Sequence, residues 1–260
     1  MKHFIHYLRR EIMKSDKVAH PSSAKAQNPE DGFDRPMFHT TQRRSGPALK
    51  IEPGSMIWLF SSLKSPWGTL PPSLDAKFIV EKIELLSDGE IKYFAAEDSQ
   101  WFPLHDATVI LKNLKTIDGK SKERELWKNH ELPLGIYLQS IRQLSSSAEL
   151  LLYEDYILNS KFDFISYRIK DGTNEAFLIT EDLINKGSVV FWDRYCLPRR
   201  LVERRESVDD EKLNEYLMKM ISGSAKVHGI ETPLYSEKNS YSLKEAALAK
   251  SLNKYSPVKF

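Results

Sequence analysis

The sequence predicts an α/β protein in two parts: a doubly wound parallel sheet over residues 161–260, preceded by a small, mainly β, barrel-like domain over residues 48–147. Three observations lead there. After Ser160, short apolar runs alternate with segments of helical period. Between Lys50 and Leu114 the apolar residues alternate with polar ones, and turn residues separate the runs. A length of 260 residues is enough for two cores.

Composition narrows the function classes. A net charge of +2, from 38 basic and 36 acidic residues, gives no global attraction to nucleic acid or to an anionic membrane. One cysteine, Cys196, excludes an internal disulfide framework and a cysteine-built zinc site, and fits a reducing compartment. No signal-peptide core and no apolar run of membrane-spanning length is present, so the expected location is the cytoplasm, without a membrane partner.

In chain order, Phe4, Ile5, Leu8 and Ile12 form a stripe that predicts a short amphipathic helix, and a polar arm follows to residue 47. In residues 48–147 four strands are expected, at 56–60, 78–83, 91–94 and 108–111, with Asp88-Gly89 as a hairpin turn between the second and third. This strand pattern resembles small β-barrels of the PUA and EVE type, which bind modified nucleobases or RNA. Trp58 or Trp101 would then stack a base, but core packing is the reading the residues favour. Residues 133–144 and 148–158 read as helical, the second within a helical linker over 148–160 between the domains.

The second part opens with a doubly buried strand at 162–167. A helix follows, carrying Ala176, Phe177, Thr180, Leu183 and Ile184 and ending at Gly187. A second strand occupies 188–192, and a charged loop runs to Val208. Leu213, Tyr216, Leu217, Met220 and Ile221 then mark a helix, and Val227-His228-Gly229-Ile230 a weak third strand. A last helix carries Glu245 on one stripe with Tyr241, Leu248 and Leu252. A carboxylate on an apolar stripe is costly unless paired or at an open site. From spacing alone, a salt bridge and a functional role stand equal.

Three segments carry a resemblance. Phe162-Asp163-Phe164-Ile165-Ser166-Tyr167-Arg168 resembles the first strand of Toll/interleukin receptor (TIR) domains, which ends in Ser-Tyr and a polar or basic residue. Trp192-Asp193 through Leu197-Pro198 is similar to the end of the second strand and its loop. The segment from Thr232-Pro233-Leu234-Tyr235 to Tyr241-Ser242-Leu243-Lys244-Glu245 is similar to the family's Ser-Pro-x-Tyr…Trp-Cys-x-x-Glu, with Tyr241-Ser242 standing where the family has Trp-Cys.

The resemblance implies a flavodoxin-like fold and, as in the enzymatic members, cleavage of NAD+ as substrate, with no separate cofactor and no metal. It makes Glu245 the catalytic residue and gives substrate-binding roles to Arg168, Trp192, Asp193, Leu197 and Tyr241, with Arg194, Arg199 and Arg200 near the pyrophosphate. It also implies self-association, a defence role against viruses in prokaryotic innate immunity, and a β-rich part that receives an activating ligand or protein. The alternative is a non-catalytic TIR adaptor that docks through residues 193–205. Because the sequence reaches Phe260 where a fourth strand is expected, the resemblance implies a shortened variant, completed by the N-terminal domain or a second subunit, or a fragment. Among other signals, Gly119-Lys120-Ser121 lacks the earlier glycine of a phosphate loop, His3 and His6 read as incidental surface residues, and Cys196 reads as a free thiol without a histidine partner.

Overall fold

The computed structural model describes residues 1–12, 19–21, 35–42, 46–87, 89–118, 122–196, 210–236 and 240–260. They form two sheets that share a core. The larger sheet comprises β1 (His3–Ile12), β2 (Ala19–Pro21), β3 (Phe38–Thr41), β4 (Met56–Ser65), β5 (Gly68–Thr69), β6 (Ser73–Leu85), β7 (Ile91–Ala95), β8 (Gln100–Trp101), β9 (Lys115–Ile117), β10 (Glu123–Glu125) and β11 (Arg142–Leu144). Its main path runs β10-β9-β11-β1-β4-β6-β7-β3. Three helices belong to this half: α1 (Thr108–Asn113), α2 (Leu134–Tyr137) and α3 (Ala148–Asn159).

The expected N-terminal helix is instead β1, a central strand parallel to β4 and antiparallel to β11. Its apolar residues face both sides: Phe4 and Leu8 pack with Ile57 and Phe78, while Ile5 packs with Trp58 and Phe60. A strand buried on both faces tolerates adjacent apolar residues, so a helical stripe and a buried strand look alike over ten positions. This segment therefore belongs to the β-rich sheet rather than preceding it, and the sheet is mixed because β1 and β4 run parallel. The run 108–111 is the helix α1 rather than a strand, and 142–144 is the strand β11 rather than helix. The hairpin of β6 and β7 is present; Asp88 lies outside the described residues, as does Gly119-Lys120-Ser121.

His3 and His6 are not incidental surface residues. His3 Nδ1 accepts from Trp58 Nε1 at 3.2 Å, and His6 Nδ1 lies 2.8 Å from His39 Nε2. Trp58 is fully buried. Its ring is core and offers no face to a nucleobase.

The second sheet holds β12 (Asp163–Ser166), β13 (Val190–Phe191), β14 (Lys226–Glu231) and β15 (Tyr255–Lys259), with α4 (Thr173–Asn185), α5 (Asp193–Cys196), α6 (Asp210–Gly223) and α7 (Tyr241–Ser251) between them. Strand order is β13-β12-β14-β15 and every pairing is parallel. Helices cover both faces. α4 presents Ala176, Phe177 and Ile184 to one side of the sheet, and α6 and α7 present Leu217, Ile221 and Ala249 to the other. An α/β, doubly wound arrangement is thus observed. Gly187 ends α4 at φ 84°, where the Ser188 amide donates to the Leu183 carbonyl and the Gly187 amide to Ile184, the glycine-requiring C-terminal cap.

The two sheets meet along α4 and β13. Leu63, Leu70 and Leu104 share a cluster with Ile165, Phe177 and Trp192. Leu104 and Val190 exchange both backbone hydrogen bonds, at 2.9 and 2.7 Å. Among the described residues no helix is long and apolar enough to cross a membrane.

Candidate active site

In a parallel sheet whose second strand lies outside the first, a crevice opens at the carboxyl ends of the strands where the order reverses, here between β12 and β14. The last residue of β12 is Ser166, fully buried. A buried hydroxyl must find partners, and Ser166 Oγ finds two. It donates to Glu245 Oε2 at 2.6 Å, and it lies 2.9 Å from the hydroxyl of Tyr235, in the loop after β14.

Local chemistry fixes α7, which supplies Glu245. Ser240 caps the helix, its Oγ accepting from the Leu243 amide at 3.2 Å. Ser242 Oγ donates to the Tyr235 carbonyl at 2.8 Å, tying the first turn to the preceding loop. On the opposite wall, Asp171 after β12 accepts from the Leu234 amide at 2.9 Å, which joins the first and third crevice loops.

Glu245 is 6% exposed. Burial pushes its carboxyl up to about 8; the Ser166 hydrogen bond works against that rise, and the Asp193 carboxylate adds to it. Among the described residues no ion pair reaches Glu245, and the loop arginines that a salt bridge could draw on, Arg194, Arg199 and Arg200, have side chains outside them. At neutral pH the free carboxyl is mostly protonated, and a cation brought beside it favours the charged form.

The residues expected to surround Glu245 divide. Asp193, the first residue of α5, is near enough for its charge to raise the Glu245 carboxyl. Tyr241 is half-buried at the start of α7, with Lys244 Nζ 5.6 Å from its ring. Arg168 is half-buried where the chain leaves β12, its carbonyl accepting from the Gly172 amide at 2.7 Å. Trp192 is fully buried against Phe177 and Tyr167, supporting the crevice from below rather than presenting a ring to it. Leu197, Arg199 and Arg200 lie outside the described residues, as does the side chain of Arg194. Cys196 is a free thiol that burial pushes up to about 12, which suits packing and not nucleophilic attack.

Sequence reasoning missed the hydroxyls around Glu245 and at the neighbouring strand. Ser166 Oγ also lies 2.9 Å from the Tyr235 hydroxyl, and across β14 the Tyr255 hydroxyl donates to Glu231 Oε1 at 2.9 Å. The signal was Gly229, which weakens the third strand on paper. A Cβ there would lie 2.6 Å from Tyr255 Cζ, so the glycine is what lets the tyrosine ring lie across β14. Gly229→Ala is expected to cost about 1–3 kcal/mol through this overlap. Urea unfolding measures it, and a loss below about 0.5 kcal/mol would mean the ring does not cross there.

Compared with known proteins, the chain matches no family model, no curated protein and no solved structure.

Proposed function

We propose that the protein is a TIR-like NAD+ nucleosidase that releases nicotinamide and leaves ADP-ribose or a cyclic product, with Glu245 as its catalytic carboxylate. The observation that carries this reading is the place of Glu245: a buried carboxyl at the carboxyl ends of parallel strands, at the reversal of strand order, held by the serine that ends the first strand.

The chemistry fits the group. Nicotinamide in NAD+ is a cationic leaving group that departs neutral, so bond cleavage needs no general acid. The transition state needs a negative charge beside an oxocarbenium-like ribose. Glu245 bears that charge once the cation is beside it, and Ser166 steadies the ionised form. Asp193, facing the same place, adds to the preference for a cationic ligand. Arg168 and Tyr241 stand at the rim for the remainder of the nucleotide.

Purified protein, concentrated to favour self-association, is incubated with NAD+ beside Glu245→Ala. Nicotinamide release is expected from the first, and release lowered about 10²–10³-fold from the second. Equal release from both would sink this mechanism.

A further inference from the structure

We propose that Tyr235 is the positioning residue of this site: its hydroxyl donates to Ser166, which commits the one Ser166 proton to Glu245 Oε2 and leaves Oε1 to meet the substrate. Its part in turnover rests on the reading above, in which Glu245 meets a cationic ribose.

The direction of each hydrogen bond follows from counting protons. A serine hydroxyl has one proton to give and lone pairs with which to receive. The Ser166 proton goes to Glu245 Oε2 at 2.6 Å, so across the 2.9 Å between Ser166 Oγ and the Tyr235 hydroxyl the tyrosine is the donor. Burial pushes the Tyr235 hydroxyl up to about 12, and it therefore holds its proton throughout the neutral range. Successive donors polarise one another, so the tyrosine strengthens the grip of the serine on the carboxylate. Without it the Ser166 hydroxyl is free to turn and accept from a protonated Glu245, which favours the uncharged form.

Among the described residues Glu245 Oε1 has no hydrogen-bond partner. In the uncharged form the acid proton is therefore on Oε1. When a cationic substrate arrives, that O–H bond breaks, the proton passes to water and the electron pair stays on the carboxylate.

The backbone holds Tyr235 to this task. Its amide donates to the Thr232 carbonyl at 3.0 Å, closing a turn with Pro233 at the first central position, where the fixed φ of proline fits. Its carbonyl accepts from Ser242 Oγ at 2.8 Å and from Ser240 Oγ at 3.3 Å, both at the start of α7. The Leu234 amide beside it donates to Asp171 Oδ2 at 2.9 Å. Tyr235 is thus pinned on both sides and buried, with its hydroxyl against the end of β12.

The charged and titratable groups that act on this trio come from other elements. Asp193 of α5 acts on Glu245, and Glu231 of β14 and Tyr255 of β15 act on Tyr235.

The test is the titration of Glu245 in the full chain, without NAD+. Its protonated-carboxyl infrared band, assigned with Glu245→Gln, is followed from about pH 5 to about pH 10. In Tyr235→Phe the midpoint is expected to move up by about 0.3–1 pH unit. In a Ser166→Ala background the intermediary is gone, and adding Tyr235→Phe is expected to move the midpoint by less than about 0.1. A 3-fluorotyrosine in place of Tyr235 keeps the ring and makes the hydroxyl a stronger donor. It is expected to move the midpoint down, and it serves if either other variant does not fold. A packing role alone would lower stability and leave the midpoint in place, or move it equally in both backgrounds. An unmoved midpoint, or the same movement with and without Ser166, overturns the proposal even where NAD+ is cleaved. Where NAD+ is cleaved, the rising limb of kcat/KM against pH is expected to move with the midpoint. If the unaltered protein never releases nicotinamide, the functional reading falls and the titration still decides the role of Tyr235.

Discussion

Arg10→Met is expected to lower the free energy of unfolding by about 3–5 kcal/mol, read as a lower urea midpoint at unchanged slope. Arg10 on β1 is 4% exposed and Asp75 on β6 is 1% exposed. Arg10 Nε donates to Asp75 Oδ2 at 2.8 Å, and Nη1 donates to the Tyr195 carbonyl. The guanidinium lies 4.2 Å from the centre of the Tyr195 ring, whose hydroxyl is 2.6 Å from Ser61 Oγ. Burial works against the Arg10 charge, but the Asp75 carboxylate outweighs it and the guanidinium is held more firmly protonated than usual. Methionine fills most of the volume and strands two acceptors, a buried carboxylate and a carbonyl. Removing both charges with Arg10→Met and Asp75→Leu together is expected to restore most of the loss, and the non-additivity measures the coupling. A single-variant loss below about 1 kcal/mol would show that water already solvates the pair.

This pair also bears on the crevice. Tyr195 lies in α5, the helix that begins with Asp193. A residue of the N-terminal strand thereby anchors the turn whose carboxylate charge acts on Glu245, in addition to the core that the two sheets share. Nothing local in the sequence announces this. Arg10 and Asp75 are 65 residues apart, and Arg10 and Tyr195 are 185 apart. Each partner taken alone reads as an ordinary polar residue.

The second half of the chain was legible because its periods are unambiguous. Strand β12 is apolar on both faces, as parallel strands between helix layers are. The stripe of Leu213, Tyr216, Leu217, Met220 and Ile221 lands as a set against the sheet. The first half was harder. Phe4, Ile5 and Leu8 satisfy a helical spacing and a doubly buried strand equally, and only pairing with β4 decides. Thr108-Val109-Ile110-Leu111 has strand propensity, yet tertiary packing makes it helical, with Leu111 buried and Val109 73% exposed. At the site, the apolar stripe singled out Glu245. Ser166 was in view only as part of a strand pattern, and the place of Tyr255 depends on its ring crossing a glycine, which no spacing rule encodes.

Glu245→Gln is expected to make the folded protein more stable, and by an amount that grows with pH. The carboxyl has an ordinary value of 4.5 and is raised to about 8 in the fold, chiefly by burial. Below about pH 4.5 both folded and unfolded chains hold the proton, and this group contributes no difference. Between there and about pH 8 the unfolded chain has released the proton while the folded chain keeps it. The folded state then binds more protons, and stability falls as pH rises. Above about pH 8 both states are ionised and the loss is complete, several kcal/mol in all, on the order of 4–5. Glutamine carries no such penalty and still offers Ser166 a carbonyl oxygen. Urea unfolding at about pH 5, 7 and 9 is expected to show nearly equal stabilities at the first and a widening advantage for the variant at the others. A constant difference across that range would mean that Glu245 titrates as a solvated carboxylate. The same charge that destabilises the fold is the one a ribosyl cation would meet. NAD+ is accordingly expected to raise the melting temperature of the unaltered protein more than that of Glu245→Gln, because only the carboxylate regains on binding the energy it lost to burial.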